Sequence, residues 1–407
     1  MHATSARTKM PLWLMILIVG IIVGVSTGRA QSMGLYLAPI TRALGIGRES
    51  FALAMALTQL LMGLGAPLCG GLIDRFGARP IVTACVLATI AGLWCMYAAT
   101  TSAHLLLSGV LMGLGVSGTG VTSLVGTVGR LAPPQQRLSA IASVGMAAGI
   151  GGFVALPVMH LAIETLGWQQ SLIWLMAVTA MLIPLCWPIG GRPTQPASAM
   201  RTQTYRQALS EAFRHPSYWL LTAGFFVCGF HVAFIMVHLP AFTVDQGLPT
   251  WVGPFALSVV GIANIIGTYI AGQSGRFIAK RLSLIYFGRS LLFCGFLFLP
   301  ITPVTVIGLC ALLGLLWLAT IPLTSGLVAT FFGTAWMSML FGIVFLSHQV
   351  GSFLGVWLAG RLYDMTHSYD AMWWISIALG IVSALINWPI QERPVARLAA
   401  QEAGATA

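Results

Sequence analysis

Apolar residues fill this chain in runs of about 20, each closed by a short cluster of charges, prolines or turn residues. A run of that length forms a helix that crosses a hydrocarbon core roughly 30 Å thick. Twelve such runs are read, near 11–43, 49–72, 79–100, 103–130, 137–165, 168–190, 217–244, 250–273, 281–300, 303–332, 337–363 and 370–390. Backbone groups in lipid must bond to one another, so the pattern predicts an all-α membrane protein with twelve transmembrane helices. The stretch 191–216, GRPTQPASAMRTQTYRQALSEAFRHP, breaks the pattern: it is polar, basic and proline-containing. It divides the spans into an N-terminal six-helix bundle (1–190), a cytoplasmic linker (191–216) and a C-terminal six-helix bundle (217–407).

The two halves repeat. A shift of 201 residues lays Pro39 on Pro240, Gly71 on Gly272, Arg75 on Arg276 and Arg79 on Lys280, and a shift of 202 lays Ser123 on Ser325 and Gly149 on Gly351. Two parallel six-helix repeats joined by a basic loop are a transporter architecture, with the solute site between them near mid-membrane.

Composition agrees. Hydrophobic residues make up 57% of the 407 and charged residues 7%, with a mean hydropathy of +0.90. Water-soluble domains carry about a quarter charged residues. The net charge of +11 is a topology signal rather than a nucleic-acid footprint. With the N-terminus inside, the cytoplasmic segments hold Arg7, Lys9, Arg75, Arg79, Arg130, Arg137, Arg192, Arg201, Arg206, Arg214, Arg276, Lys280, Arg281, Arg393 and Arg397, while the outer loops hold only Arg42 and Arg48. Both termini are therefore expected in the cytoplasm. Cys69, Cys85, Cys95, Cys186, Cys228, Cys294 and Cys310 all lie in apolar runs without metal-ligand spacing, so neither disulfides nor a metal site is expected. The first run is too long for a signal-peptide core and lacks a convincing small-residue cleavage site.

Between the second and third spans stands GGLIDRFGARP. This resembles the loop signature of the major facilitator superfamily, its positions filled by Gly70, Asp74, Arg75, Gly77 and Arg79. The glycine permits close helix approach, and Asp74 with the arginines supplies the charges for a cytoplasmic gate. In the second copy, AGQSGRFIAKR, Gly275 replaces the acid. GRAQSMGLYLAPI, HLPAF, PLTSGLVATFFG, LFGIVFLSHQVGSFLG and LYDMTHSYDAMWW are most similar to bacterial members of the branch related to monocarboxylate transporters. The resemblance covers nearly the whole chain. It implies the major facilitator fold and a secondary transporter of small organic solutes, often carboxylates, driven by ion gradients or exchange. One departure weakens the monocarboxylate assignment: where those transporters carry an Asp/Arg pair in the eighth span, this chain has Asn264 and no charge.

Polar residues at mid-depth name the candidate solute site. They are Arg29, Gln59, Ser117 and Thr119 in the first half, and His231, Asn264, Trp317, Thr320, His348 and Gln349 in the second, with His238 two turns outward from His231. Helix–helix hydrogen bonding is the competing reading for each of them. Arg29 stands out because a guanidinium stays ionised and a charge within a bilayer costs at least a few kcal/mol. It either marks the end of a short span and snorkels, or it faces a ligand. The 201 shift maps His231 on Ala30, beside Arg29, and His231 is flanked by apolar runs on both sides. That alignment places Arg29 deep. Arg289, two turns into the ninth span, is expected to snorkel toward the cytoplasm. Arg361 and Asp364, spaced i,i+3, are read as a local ion pair or outer gate. Trp13, Trp168, Trp187, Trp219, Trp251, Trp336, Trp373 and Trp388 are read as an interfacial belt.

These residues predict transport of a small organic anion across a bacterial inner membrane by a monomer without a cofactor, Arg29 supplying the positive charge. With no mid-membrane carboxylate, a coupling proton would travel on a histidine or on the substrate. The alternative is efflux of a larger, mostly neutral or aromatic compound. It is less favoured because the fifth span, SVGMAAGIGGFVALP, lacks a Gly-Pro pair. A transporter-like receptor is disfavoured by the short loops, and an enzyme by the lack of a nucleophile–base pair.

Overall fold

The computed structural model describes residues 11–121, 123–124, 127–128, 132, 136–189, 204–273, 277–333 and 336–398. Residues 191–203 of the linker lie outside these, as do Arg7, Lys9, Arg130, Arg192, Arg201, Gly275 and Arg276, together with the side chains of Asp74 and Arg137.

The first span is a broken helix: α1 (Leu12–Ser32), a 3₁₀ turn (Met33–Tyr36) and α2 (Leu37–Leu44). The next three are α3 (Arg48–Phe76), α4 (Ala78–Tyr97) and α5 (Ser102–Thr119). Spans five and six share α6 (Arg137–Ala180) and the short α7 (Leu182–Cys186), and they part at Gly167, whose φ of 81° turns the chain back. An L side chain rarely adopts that conformation. Helix α8 (Tyr205–Phe213) lies within the linker. The second half holds α9 (Pro216–Asp245), α10 (Val252–Gly272), α11 (Ile278–Phe298), α12 (Pro303–Leu315), α13 (Thr320–Phe332), α14 (Met337–Thr366) and α15 (Asp370–Asn387). No strand occurs among the described residues. Among the described residues, eleven helical segments are long and apolar enough to cross a membrane. The longest, Ser139–Cys186, holds two spans split at Gly167, so the twelve-span fold read from the apolar runs is the fold observed.

The helices pair in a repeating pattern. Helix α1 packs on α6 as α9 packs on α14, and α3 packs on α5 as α10 packs on α12. Two further pairings, α3 with α14 and α10 with α6, join the halves. Small residues allow the closest of these contacts, because lipid offers no hydrophobic drive for helices to associate. Gly28 faces the backbone of Gly151, and its counterpart under the 201 shift, Gly229, faces the backbone of His348. A Cβ at either position would collide with the partner carbonyl.

The tenth span is interrupted between Leu315 and Thr320. Pro322, in the first turn of α13, has no N–H to continue the helix and is tolerated there. The interruption frees backbone groups in the middle of the protein, and side chains from two other helices take them up.

Candidate functional site

Three buried arginines differ in what holds them. Arg48 opens α3 at the end of the molecule opposite the chain termini. It gives two hydrogen bonds to Asp245, at 2.6 and 2.7 Å, and a third to the Tyr369 hydroxyl at 2.8 Å. Its guanidinium also lies 3.6 Å from the centre of the Tyr363 ring. Around it, Asp364 accepts from the backbone N–H groups of Arg48 and Glu49, both at 2.8 Å, and so caps α3. Glu49 accepts from Trp357 at 3.0 Å and pairs with Arg361 at 3.4 Å. Arg361 and Asp364 thus make no local pair, and each crosses to α3 instead. Burial pushes the Tyr369 hydroxyl above its ordinary pKa, opposed by the Arg48 charge.

Arg289, on α11, is fully buried, which corrects the snorkelling expectation. Nε donates to the Leu316 carbonyl at 3.1 Å, Nη2 donates to the carbonyls of Leu316 and Trp317, and Nη1 reaches Cys228 Sγ at 3.4 Å. It therefore satisfies the carbonyls freed at the C-terminus of α12. Across the same break, Asn264 Oδ1 accepts from the Leu318 N–H at 2.9 Å and from Thr268 at 3.2 Å.

Arg29 is different. It is 3% exposed, and its Nη2 has no hydrogen-bond partner among the described residues. It lies in the last turn of α1, where the helix dipole favours a cation. Its span runs from Leu12 to Leu44, so it is 17 residues from one end and 15 from the other. At 1.5 Å per residue that is over 20 Å either way, beyond reach of the headgroups.

The other candidates separate by their partners. His238 gives both ring nitrogens to the protein, Nδ1 meeting the Tyr369 hydroxyl and Nε2 the Val356 carbonyl, each at 3.0 Å. His231 Nε2 meets the Ser376 carbonyl at 2.9 Å and its ring packs edge-on against Phe293, within the second half. Ser117 donates to the Gly113 and Leu61 carbonyls, and Thr119 to that of Gly115. The Thr320 hydroxyl lies 3.2 Å from Cys228 Sγ. These five groups are tied into the helix packing, with Nδ1 of His231 buried and without a partner among the described residues. Gln349 links the halves, donating to the Gln59 carbonyl at 2.8 Å while its Oε1 lies 2.8 Å from His348 Nδ1. His348 Nε2 has no partner among the described residues. Its ring stacks on Phe345 with the planes 8° apart.

Trp373, expected in the interfacial belt, is 1% exposed and stacks on Phe296 at 4.6 Å. Trp13, Trp187, Trp219, Trp251 and Trp388 are exposed as a belt requires.

A comparison with family models decides the class: the major facilitator superfamily model matches residues 12–356. The chain belongs to the major facilitator superfamily. Its members are membrane transporters, and among relatives the chain is 26% identical to an uncharacterised transporter of this superfamily, YcxA of Bacillus subtilis, covering 94% of this chain and 95% of the relative. It is 25% identical to human monocarboxylate transporter 11, covering 89% and 79%. Among solved structures it resembles the nucleoside transporter NupG, in a single-substitution form, at a TM-score of 0.75 and 14% identity, covering 93% of this chain and 99% of that one. It also resembles a bacterial homologue of the human lysosomal transporter Spinster, inward-facing and occupied, at 0.72 and 13%, covering 92% and 95%.

The superfamily loop signature falls at the end of α3. Gly77, with φ 90°, ends that helix and starts α4, and Arg79 lies over the Trp187 ring at 3.1 Å. Arg75 is exposed beside Phe76. A Cβ on Gly70 would meet no atom within 4 Å, so the close helix approach expected there is not formed. The end with the ion network is therefore tied across the halves, and at the signature Gly70 faces open space. The network residues Arg48, Asp245 and Tyr369 were not singled out from the sequence. Their signal was charge at one end of the bundle, on α3 and α9, which pattern along the chain does not connect.

Proposed function

We propose that this protein is a secondary active transporter that moves a small organic anion, a carboxylate, across a bacterial inner membrane by alternating access. The observation that carries the reading is the Arg29 guanidinium, buried with an Nη2 that has no partner among the described residues, while Arg48 and Arg289 are bonded to the protein. An unpaired cation in a membrane interior is costly. A carboxylate matches it by a two-pronged, charge-assisted hydrogen bond. The likeness to monocarboxylate transporters supports an anion of this class.

In this reading the bundles 1–190 and 217–407 rock about the solute. Arg29 binds the carboxylate, and the Gln59 side chain, Trp317 and His348 contact the remainder. Asn264, Thr320 and Gln349 hold their helices in register around the cavity, with Ser117, Thr119, His231 and His238. The Arg48 network closes the outer side, and the signature loop with Asp74 gates the cytoplasmic side, where both termini lie. The protein works as a monomer.

The test is uptake of radiolabelled lactate, pyruvate and longer carboxylates into proteoliposomes holding wild type, Arg29→Lys or Arg29→Gln. Wild type accumulates at least one acid, Arg29→Lys keeps a small fraction of that rate, and Arg29→Gln keeps none. Equal uptake by Arg29→Gln would refute the role of Arg29. Uptake of neutral aromatics alone would replace the anion reading by efflux.

A further inference from the structure

We propose that the groove between α8 and the segment following α15 binds a phosphate-bearing anion, the headgroup of an acidic phospholipid or a soluble phosphate. The groove lies at the end of the molecule that carries the chain termini, far from the arginines at mid-membrane. Its cavity of about 900 Å³ is lined by Arg206, Ser210, Glu211, Arg214, His215 and Arg397, with Pro394, Val395 and Ala396.

Helix α8 is built to face this groove. Thr204 and Gln207 form a reciprocal cap that fixes its start. Gln207, Ser210, Glu211 and Arg214 then recur at spacings of three and four and make one polar stripe. Ala208 and Ala212 bury the opposite face. Aromatic residues flank the helix: Tyr205, Phe213 and Trp219 are each about half exposed, and Trp219 Nε1 donates to the Phe213 carbonyl at 2.9 Å. A short amphipathic helix bordered by such rings lies in the interfacial plane, at the level of lipid headgroups.

The charge of the groove fits an anion. Three guanidiniums face one carboxylate, a fixed surplus of two positive charges. Arg397 Nη2 is shared between Glu211 and the Phe332 carbonyl, both at 3.4 Å, while its Nε is buried without a partner among the described residues. Nδ1 of His215 is buried and unpartnered in the same way. His215 also stands at the start of α9, whose N-terminal dipole adds positive potential to the same corner. Planar guanidinium forks and a serine hydroxyl suit tetrahedral phosphate oxygens, and basic pockets at this depth suit lipid phosphates.

The experiment is thermal unfolding of the full-length protein in a neutral detergent at fixed ionic strength, with dioleoylphosphatidylglycerol, dioleoylphosphatidylcholine or inorganic phosphate added. The expected result is a rise in Tm of about 2–4 °C with phosphatidylglycerol, none with phosphatidylcholine, and loss of the rise in Arg206→Gln/Arg214→Gln. A rise with phosphatidylglycerol alone identifies the lipid headgroup, and an equal rise with inorganic phosphate identifies a soluble ligand. Ser210→Asp, which adds a negative charge at an exposed position, gives the same loss if the double variant folds poorly. Lys280→Gln/Arg281→Gln, at the same end but outside the groove, keeps the rise. No rise with either anion, or an equal loss in the Lys280/Arg281 variant, overturns the proposal.

Discussion

Arg48 and Asp245 meet through two parallel hydrogen bonds that tie the first residue of α3 to the last residue of α9. The pair is mostly shielded from solvent, and Asp364 caps the same helix start from α14. Breaking it therefore favours opening at this end. In a variant carrying Ala38→Cys as a reporter, Asp245→Asn is expected to speed labelling by an impermeant maleimide about tenfold, a bias of about 1.4 kcal/mol. The exchanged double variant, Arg48→Asp with Asp245→Arg, recovers slow labelling. Unchanged labelling in Asp245→Asn would mean that the pair does not hold this closure.

Arg29 leads to an opposite pair of effects on stability and function. A buried cation without a counter-charge weakens the fold by several kcal/mol. Arg29→Met is thus expected to raise the Tm of the solute-free protein while abolishing uptake of the anion. A lower Tm in that variant would reveal a protein partner for the guanidinium.

The break in the tenth span predicts a ranking. Arg289→Gln leaves the carbonyls of Leu316 and Trp317 short of donors and costs about 2–4 kcal/mol, whereas Asn264→Ala removes one acceptor and costs about 1–2 kcal/mol. Hydrogen exchange at the Leu318 amide should quicken in Asn264→Ala. The reverse ranking of Tm losses would place the main support of the break elsewhere.

His215 gives a pH dependence. Burial lowers its pKa from the ordinary 6.5, opposed by the Glu211 charge, and the ring packs on Phe331 at 4.8 Å. A folded-state pKa below the unfolded one means that the unfolded chain binds more protons, so stability is complete above about pH 6.5 and falls as the solution is acidified below it. His215→Gln should flatten the fall in Tm between pH 7.5 and 5.5. An equally steep fall in the variant would assign the effect to another group.

The apolar runs made the twelve spans legible, because backbone in lipid has few alternatives to helix. Arg29 was legible for the same reason, as a permanent charge inside such a run. Arg289 is not legible in the same way, because the carbonyls of Leu316 and Trp317 that it satisfies lie at a break in another helix. Trp373 looked interfacial by its place near a span end, yet α15 turns it onto Phe296. The Arg48 network brings together residues 48, 245, 364 and 369, and no local pattern links positions so far apart.

The glycine contacts of α1 carry one more consequence. Gly28 rests on the backbone of Gly151 one residue before Arg29, so this turn of α1 is packed on α6 and carries the Arg29 charge with the bundle. If the proposed anion crosses without a proton, the loaded carrier is neutral there and the unloaded carrier returns with its bare cation. The membrane voltage would then act on the return step and turnover would be a current that an electrode can read, whereas an anion carried with one proton moves no net charge.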